Sequence, residues 1–382
     1  MLRWFFLGAT GLILGLYLIT SLQAPSPSVS SRIDLQKALY DETGTFAEVI
    51  PGRDFAFPRD HGPHPDYKTE WWYFTGNLEA ENGERFGYQL TLFRIGLTEK
   101  DRQENESRWA TDFLMMGHLG LSRASKRDFF TFERFARGSL GLAGVHEDGE
   151  KIWLEDWSIH RSETSLPGWK LQANVKTSEG KDLSLKLNLT ESKAPVLQGD
   201  GGYSRKGPNP EHASYYVSQT RLATQGTIGL ADREYRVIGD SWFDHEWSSE
   251  SMSPGLVGWD WFSLQLSDNS ELMLYLLRYE DGRLEPASSG AVIDPSGKKH
   301  NLSLEQFTVT ALDTYTSGSG IEYPSEWEVS IPDESLSIKV KPVIPNQEML
   351  GAVPYWEGAV DVQGTRASEA IKGKGFVELT GY

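Results

Sequence analysis

Between Lys181 and Thr190 the chain reads K-D-L-S-L-K-L-N-L-T, polar and apolar in near-perfect alternation. Only an extended strand with one buried face places every second side chain against a core. The same period of two returns in F-F-T-F-E-R-F (129–135), K-I-W-L-E-D-W-S-I-H (151–160) and L-P-G-W-K-L-Q-A-N-V (166–175). Long helical spacing is missing throughout, so the chain reads as all-β and antiparallel. W-Y-F-T-G-N-L (72–78) and R-F-G-Y-Q-L-T-L-F-R (85–94) flank Asn82-Gly83, a dipeptide suited to a hairpin turn. Glycine, at 38 residues against 18 prolines, supplies many tight turns.

One hairpin occurs twice. Trp71-Trp72-Tyr73-Phe74-Thr75 with Leu78 matches Trp259-Asp260-Trp261-Phe262-Ser263 with Leu266 at one constant separation. The strands that follow end in Leu92-Phe93-Arg94 and Leu276-Leu277-Arg278, and Glu-Trp pairs stand nearby at 70–71 and 246–247. This pattern predicts two related β domains, each a barrel or strongly curved sandwich, because closure removes exposed edges. The expected divisions are 1–24, a signal peptide or membrane anchor, and 25–44, a linker leading into a short helix within Asp34–Val49. The domains follow at 45–205 and 206–382, with the Gly/Pro-rich loop 198–212 as junction or lid.

A net charge of -17 with no basic patch argues against a nucleic-acid partner. The absence of cysteine excludes disulfides, thiolate nucleophiles and cysteine metal sites. After Arg3 an apolar run, Trp4–Ile19, precedes a Ser/Pro-rich stretch. It reads as an export signal or an uncleaved anchor. The folded part is therefore expected in the periplasm, touching the inner membrane only through this N-terminal segment.

The densest chemistry is D-S-W-F-D-H-E-W at 240–247. In a strand, Trp242, Asp244 and Glu246 face one way, while Phe243, His245 and Trp247 face the other. His245 in an apolar wall is either a proton donor and acceptor or a hydrogen-bonded core histidine. Asp260 lies between Trp259 and Trp261 and takes the opposite face from both. It is either a neutral acid able to donate a proton or half of an ion pair with Arg278 or Arg94. Ser241 and His245 share a face two pleats apart, about 13 Å, too far for a nucleophile and its base. His61-Gly62-Pro63-His64-Pro65-Asp66 ahead of Glu70 has no recognised ligand spacing, and no metal is expected. Trp356-Glu357 suggests a buried aromatic with a carboxylate neighbour. No hydrolase elbow, P-loop or dinucleotide fingerprint is present, so no cofactor is expected.

Taken together, E-W-W-Y-F-T-G-N-L, Q-G-D-G-G-Y-S-R-K-G, G-D-S-W-F-D-H-E-W-S-S, G-W-D-W-F, Y-W-E-G-A-V and F-V-E-L-T-G-Y resemble the AttH-like proteins. These are exported lipocalin-like proteins in the superfamily of the carotenoid 1,2-hydratases, once labelled secreted hydrolases. The resemblance covers about 45–382 and implies two lipocalin-like antiparallel β-barrels. It also implies an association with an ABC transporter permease. The hydratases add water to an alkene with a side-chain acid and no cofactor. Their His-x-Trp pattern matches His245-Glu246-Trp247, but Glu271–Arg278 offers no aspartate, so Asp260 stands as a substitute for the acid. The leading expectation is a binding protein for a hydrophobic, lipid- or isoprenoid-like molecule. Trp72, Tyr73, Trp242, Trp247, Trp259, Trp261 and Trp356 would form its walls, with Asp244 and Tyr216 lining it as well. The alternative is a hydratase-type lyase, with Asp260 as acid, His245 managing the proton, and Trp247 and Trp261 stabilising a cation.

Overall fold

The computed structural model describes residues 46–97, 110–162, 167–249 and 253–382. The export segment 1–24, the linker 25–44 and most of the helix expected within 34–49 lie outside them; residues 46–49 are irregular. Among the described residues, secondary structure is strand apart from four short 3-10 turns.

The first sheet contains β1 (Thr69–Ala80), β2 (Arg85–Gly96), β3 (Phe113–Arg123), β4 (Asp128–Arg137), β5 (Ala143–Val145), β6 (Lys151–Leu154) and β7 (Trp157–Ser162). It continues with β8 (Gly168–Lys176), β9 (Asp182–Glu191), β10 (Val196–Leu197), β11 (Tyr203–Arg205), β12 (Ala213–Leu230) and β13 (Arg233–Ser248). The second contains β14 (Leu256–Leu266), β15 (Glu271–Tyr279), β16 (Ser289–Ile293), β17 (Lys299–Ser303) and β18 (Thr308–Thr316). It is completed by β19 (Glu322–Ile331), β20 (Leu336–Pro342), β21 (Glu348–Met349), β22 (Tyr355–Arg366) and β23 (Glu369–Thr380).

The duplication extends beyond the hairpin. The first sheet runs β4-β3-β2-β1-β13-β12-β9-β8-β7-β6-β5; the second runs β17-β16-β15-β14-β23-β22-β20-β19-β18. In each, the last strand returns to pair with the first, β13 with β1 and β23 with β14. Two further strands, β5 and β6, carry the first sheet round into a nearly closed barrel, whereas the second is a half-barrel. The sheets change over between Ser248 and Leu256, so the division expected at 205/206 falls inside the first sheet. β12 and β13 belong there because the barrel is finished by strands far along the chain.

Alternation fixes the cores. Leu183, Leu185, Leu187 and Leu189 fill the first barrel beside Trp157 and Trp169, while Lys186 and Asn188 are exposed. Asn82-Gly83 makes the β1–β2 turn, with Gly83 at φ 80°, where a side chain is strained. The sheets then pack against each other. A Cβ on Gly87 would stand 2.5 Å from that of Ala359, so glycine permits the approach of β2 to β22. Fully buried Glu271 ties the sheets by accepting from Lys193 at 2.8 Å, Arg221 at 2.7 Å and Thr220 at 3.1 Å.

Candidate functional site

β13 divides its dense motif between two environments. Phe243, His245 and Trp247 enter the first barrel or its end; Trp242, Asp244 and Glu246 turn toward the second sheet. A period of two allows no other division.

Between the sheets, each contributes a row of side chains. On the first, Ser218, Asp244, Tyr73, Thr91 and His118 lie across β12, β13, β1, β2 and β3. On the second, Glu357, Glu378, Trp261 and Tyr275 lie across β22, β23, β14 and β15. Asp244 accepts from Tyr216 at 2.7 Å, Ser218 at 2.6 Å and the Trp242 indole at 2.7 Å. The Trp261 indole donates across to the Tyr216 hydroxyl at 2.9 Å. Glu357 accepts from Tyr73 at 2.5 Å and from the Gln89 amide at 2.9 Å. Gln89 also donates to the Tyr355 hydroxyl at 3.0 Å, which lies 2.8 Å from His118 Nδ1. Trp259 hydrogen-bonds Glu378. From loop 198–212, buried Lys206 reaches Glu246 at 2.8 Å, its Nζ 4.2 Å from the Tyr275 ring centre. Trp71, Phe93, Trp259 and Glu378 remain half-buried beside these fully buried groups, at the margin of the inter-sheet cluster.

Burial controls the acids. It pushes Asp244 up to about 7 despite three hydrogen bonds that favour the carboxylate. Glu357 is likewise pushed up to about 7 against its tyrosine and glutamine donors. Glu378 lies directly across from Glu357; burial and that neighbour's charge raise it well above the usual range. Burial and neighbouring carboxylates also raise Tyr73, Tyr216 and Tyr275 well above 10.

Other sequence-selected residues lie elsewhere. His245 Nε2 is 2.9 Å from Glu70 Oε1 inside the first barrel. The same oxygen is 2.8 Å from His64 Nδ1, and Arg94 donates to Oε2 at 3.2 Å. His64 stacks on Trp247 at 3.7 Å and His245 on Trp72 at 4.9 Å. Burial would raise Glu70, but bonds to His245 and His64 and the Arg94 charge hold it well below the usual range. Burial lowers His245, whereas bonds to Asp60 and Glu70 overcome burial and raise His64. His64, Glu70 and His245 bring possible ligand atoms within 4.8 Å of one another. Those atoms already bond each other, with a guanidinium closing the charge balance. The network pins irregular segment 46–67 to the barrel.

Asp260 faces the second sheet's core side. Arg278 Nε donates to it at 2.8 Å and the Tyr382 hydroxyl at 2.9 Å. Burial raises its pKa, with Arg278 and Tyr382 opposing. Asp260 and His245 are thus not a pair, and Trp247 and Trp261 do not share a wall. Odd and even positions of β13 and β14 point into different volumes. Trp356 fills the second core and donates to the Pro345 carbonyl at 2.8 Å. Tyr73, Tyr216, Trp242, Asp244, Trp259 and Trp261 do assemble between the sheets. Sequence reasoning missed Gln89, Lys206 and Glu378 as members, and singled out Glu357 only as a neighbour of Trp356. The available signal was an acid inside an apolar strand, as in F-V-E-L, on the face opposite the core residues.

An AttH-like family model matches residues 48–382. An AttH crystal structure from Nitrosomonas europaea is 33% identical, covers 88% of this chain and 100% of that chain, and superposes with TM-score 0.77. Kievitone hydratase from Nectria haematococca is 14% identical over 88% of this chain and 96% of its own, with TM-score 0.59, a likeness of fold. No curated protein matches.

Proposed function

From the premise that the chain belongs to the AttH-like family, we propose that it is an exported binding protein whose inter-sheet recess takes a hydrophobic small molecule. The carrying observation is the gathering of Tyr73, Trp242, Trp261 and Tyr275 around buried acids, behind a half-accessible rim of Trp71, Phe93 and Trp259. Aromatic faces supply apolar area, and a few convergent polar groups fix a ligand's polar end. The apolar run Trp4–Ile19 supports a place beyond the cytoplasmic membrane, where service to an ABC transporter permease is part of this reading. Mass spectrometry of small molecules extracted from the purified full chain tests the binding role. One defined lipid or isoprenoid, depleted in Trp261→Ala, is expected; equal recovery from both proteins would overturn the assignment of this recess.

A second reading is hydration of a hydrophobic alkene, favoured by two carboxyls that burial pushes up to about 7, Asp244 and Glu357. A neutral carboxyl can give its proton to an alkene carbon. Water then adds to the resulting cation, and the water's surplus proton returns to the carboxylate. Asp244 takes the acid's role, since Asp260 is ion-paired on the opposite face of its sheet. Incorporation of labelled water oxygen into an isoprenoid alkene, lost in Asp244→Asn and kept in Asp260→Asn, is the expected result. The reverse pattern would return the role to Asp260.

A further inference from the structure

We propose that the inter-sheet recess is selective for a hydrophobic ammonium ion, whose nitrogen sits among Glu378, Glu357 and the Trp259 ring while its apolar body meets Tyr73 and Trp261. This rests on the recess being a ligand site. Asp244, Glu357 and Glu378 converge with no lysine, arginine or histidine at ion-pair distance among the described residues; their recorded partners are neutral donors. The two nearby basic groups are committed elsewhere, Lys206 to Glu246 at 2.8 Å and His118 to Glu133 at 3.1 Å. Three acids therefore share one enclosure, and the one cation bordering it, Lys206, is already balanced by Glu246.

A second, independent observation also points to a donor ligand. Gln89 is 2% exposed, and its amide nitrogen is spent on Glu357 and Tyr355. Its oxygen, Oε1, has no donor. The Thr91 hydroxyl, 1% exposed and in the row between Tyr73 and His118, is also unpartnered. Buried acceptors left empty cost on the order of 1–3 kcal/mol each, and an N–H donor would relieve that cost. Half-buried Trp71, Phe93 and Trp259 stand beside the acids, and the quadrupole of an aromatic ring attracts a cation over its face. A neutral chain would fill the space but leave acids and acceptors unanswered, and an anion would meet three carboxyls.

The test uses the full chain and three probes of equal length, decylammonium, decan-1-ol and decanoate. Binding is followed by tryptophan fluorescence at neutral pH, below the micelle concentration. Decylammonium is expected to bind at least about tenfold tighter than decan-1-ol, or about 1.4 kcal/mol, and decanoate weakest. Glu378→Gln, which keeps the shape and cannot ionise, should erase the preference for decylammonium over decan-1-ol. The comparison within the wild-type protein decides the matter even if that variant fails to fold. Equal or tighter binding of decan-1-ol overturns the ammonium assignment and leaves the hydrophobic-ligand reading standing. Absence of saturable binding by all three overturns both.

Discussion

At the scale of the residue, position on a strand decides what an acid can do. Asp244 and Asp260 both lie beside tryptophans, yet one meets neutral donors and the other a guanidinium. Between about pH 4 and pH 7 the folded protein keeps the Asp244 proton that the unfolded chain has released. Its contribution to stability is therefore complete below the ordinary carboxyl value of 3.8 and is lost as pH rises toward about 7. The slope reaches at most about 1.4 kcal/mol per pH unit for one such group. Asp244→Asn is expected to flatten the pH dependence across that window, read as urea midpoints from pH 5 to pH 8; superimposable profiles would refute it. Asp260→Asn leaves Arg278 mostly buried and short of a partner. It should cost on the order of 3 kcal/mol in the same assay while leaving probe binding in the recess unchanged. These faces were legible in advance: alternation separates Asp244 from His245 and Asp260 from its flanking tryptophans. The identity of each acid's partners was not, because those partners lie on other strands.

At the scale of the element, sheets meet where side chains are small and charges are matched. Gly87 occupies such a point, with Ala359 opposite. Gly87→Val should push β2 from β22, lowering the melting temperature and weakening probe binding together. Stability lost with affinity intact would mean that this contact does not shape the recess. Glu271 is the electrostatic counterpart, a buried carboxylate held by Lys193 and Arg221. Glu271→Gln removes the charge that both cations face, and a loss of about 3–5 kcal/mol is expected from denaturant unfolding. The repeated hairpin was readable because both its copies are local. The closing strands β13 and β23 were not assignable, since nothing local to them names the strand they join.

At the scale of the molecule, the recess exists only while both sheets are docked. Tyr73 with Glu357, Gln89 with Tyr355, and Trp261 with Tyr216 all cross between them. Such shared polar ties, buried among aromatics, couple the stability of the two halves. Far-ultraviolet circular dichroism and tryptophan fluorescence should therefore report one coincident unfolding transition. Two separated transitions would show that each half stands without the other and that the site is lost before the fold is.

What the sequence determined by itself is whatever repeats at short range. A period of two gave antiparallel strands and the two faces of each, Asn-Gly placed a turn, and a recurring aromatic hairpin announced two related sheets. The tertiary structure alone decided which faces meet. Tyr73 and Glu357 are 284 residues apart in the chain, yet their side chains touch. Alternation says which side chains share a face but carries no information about the surface that will cover it. Only packing of the two sheets converted isolated acids on separate strands into one enclosed group, and that enclosure is what pushes their pKa upward.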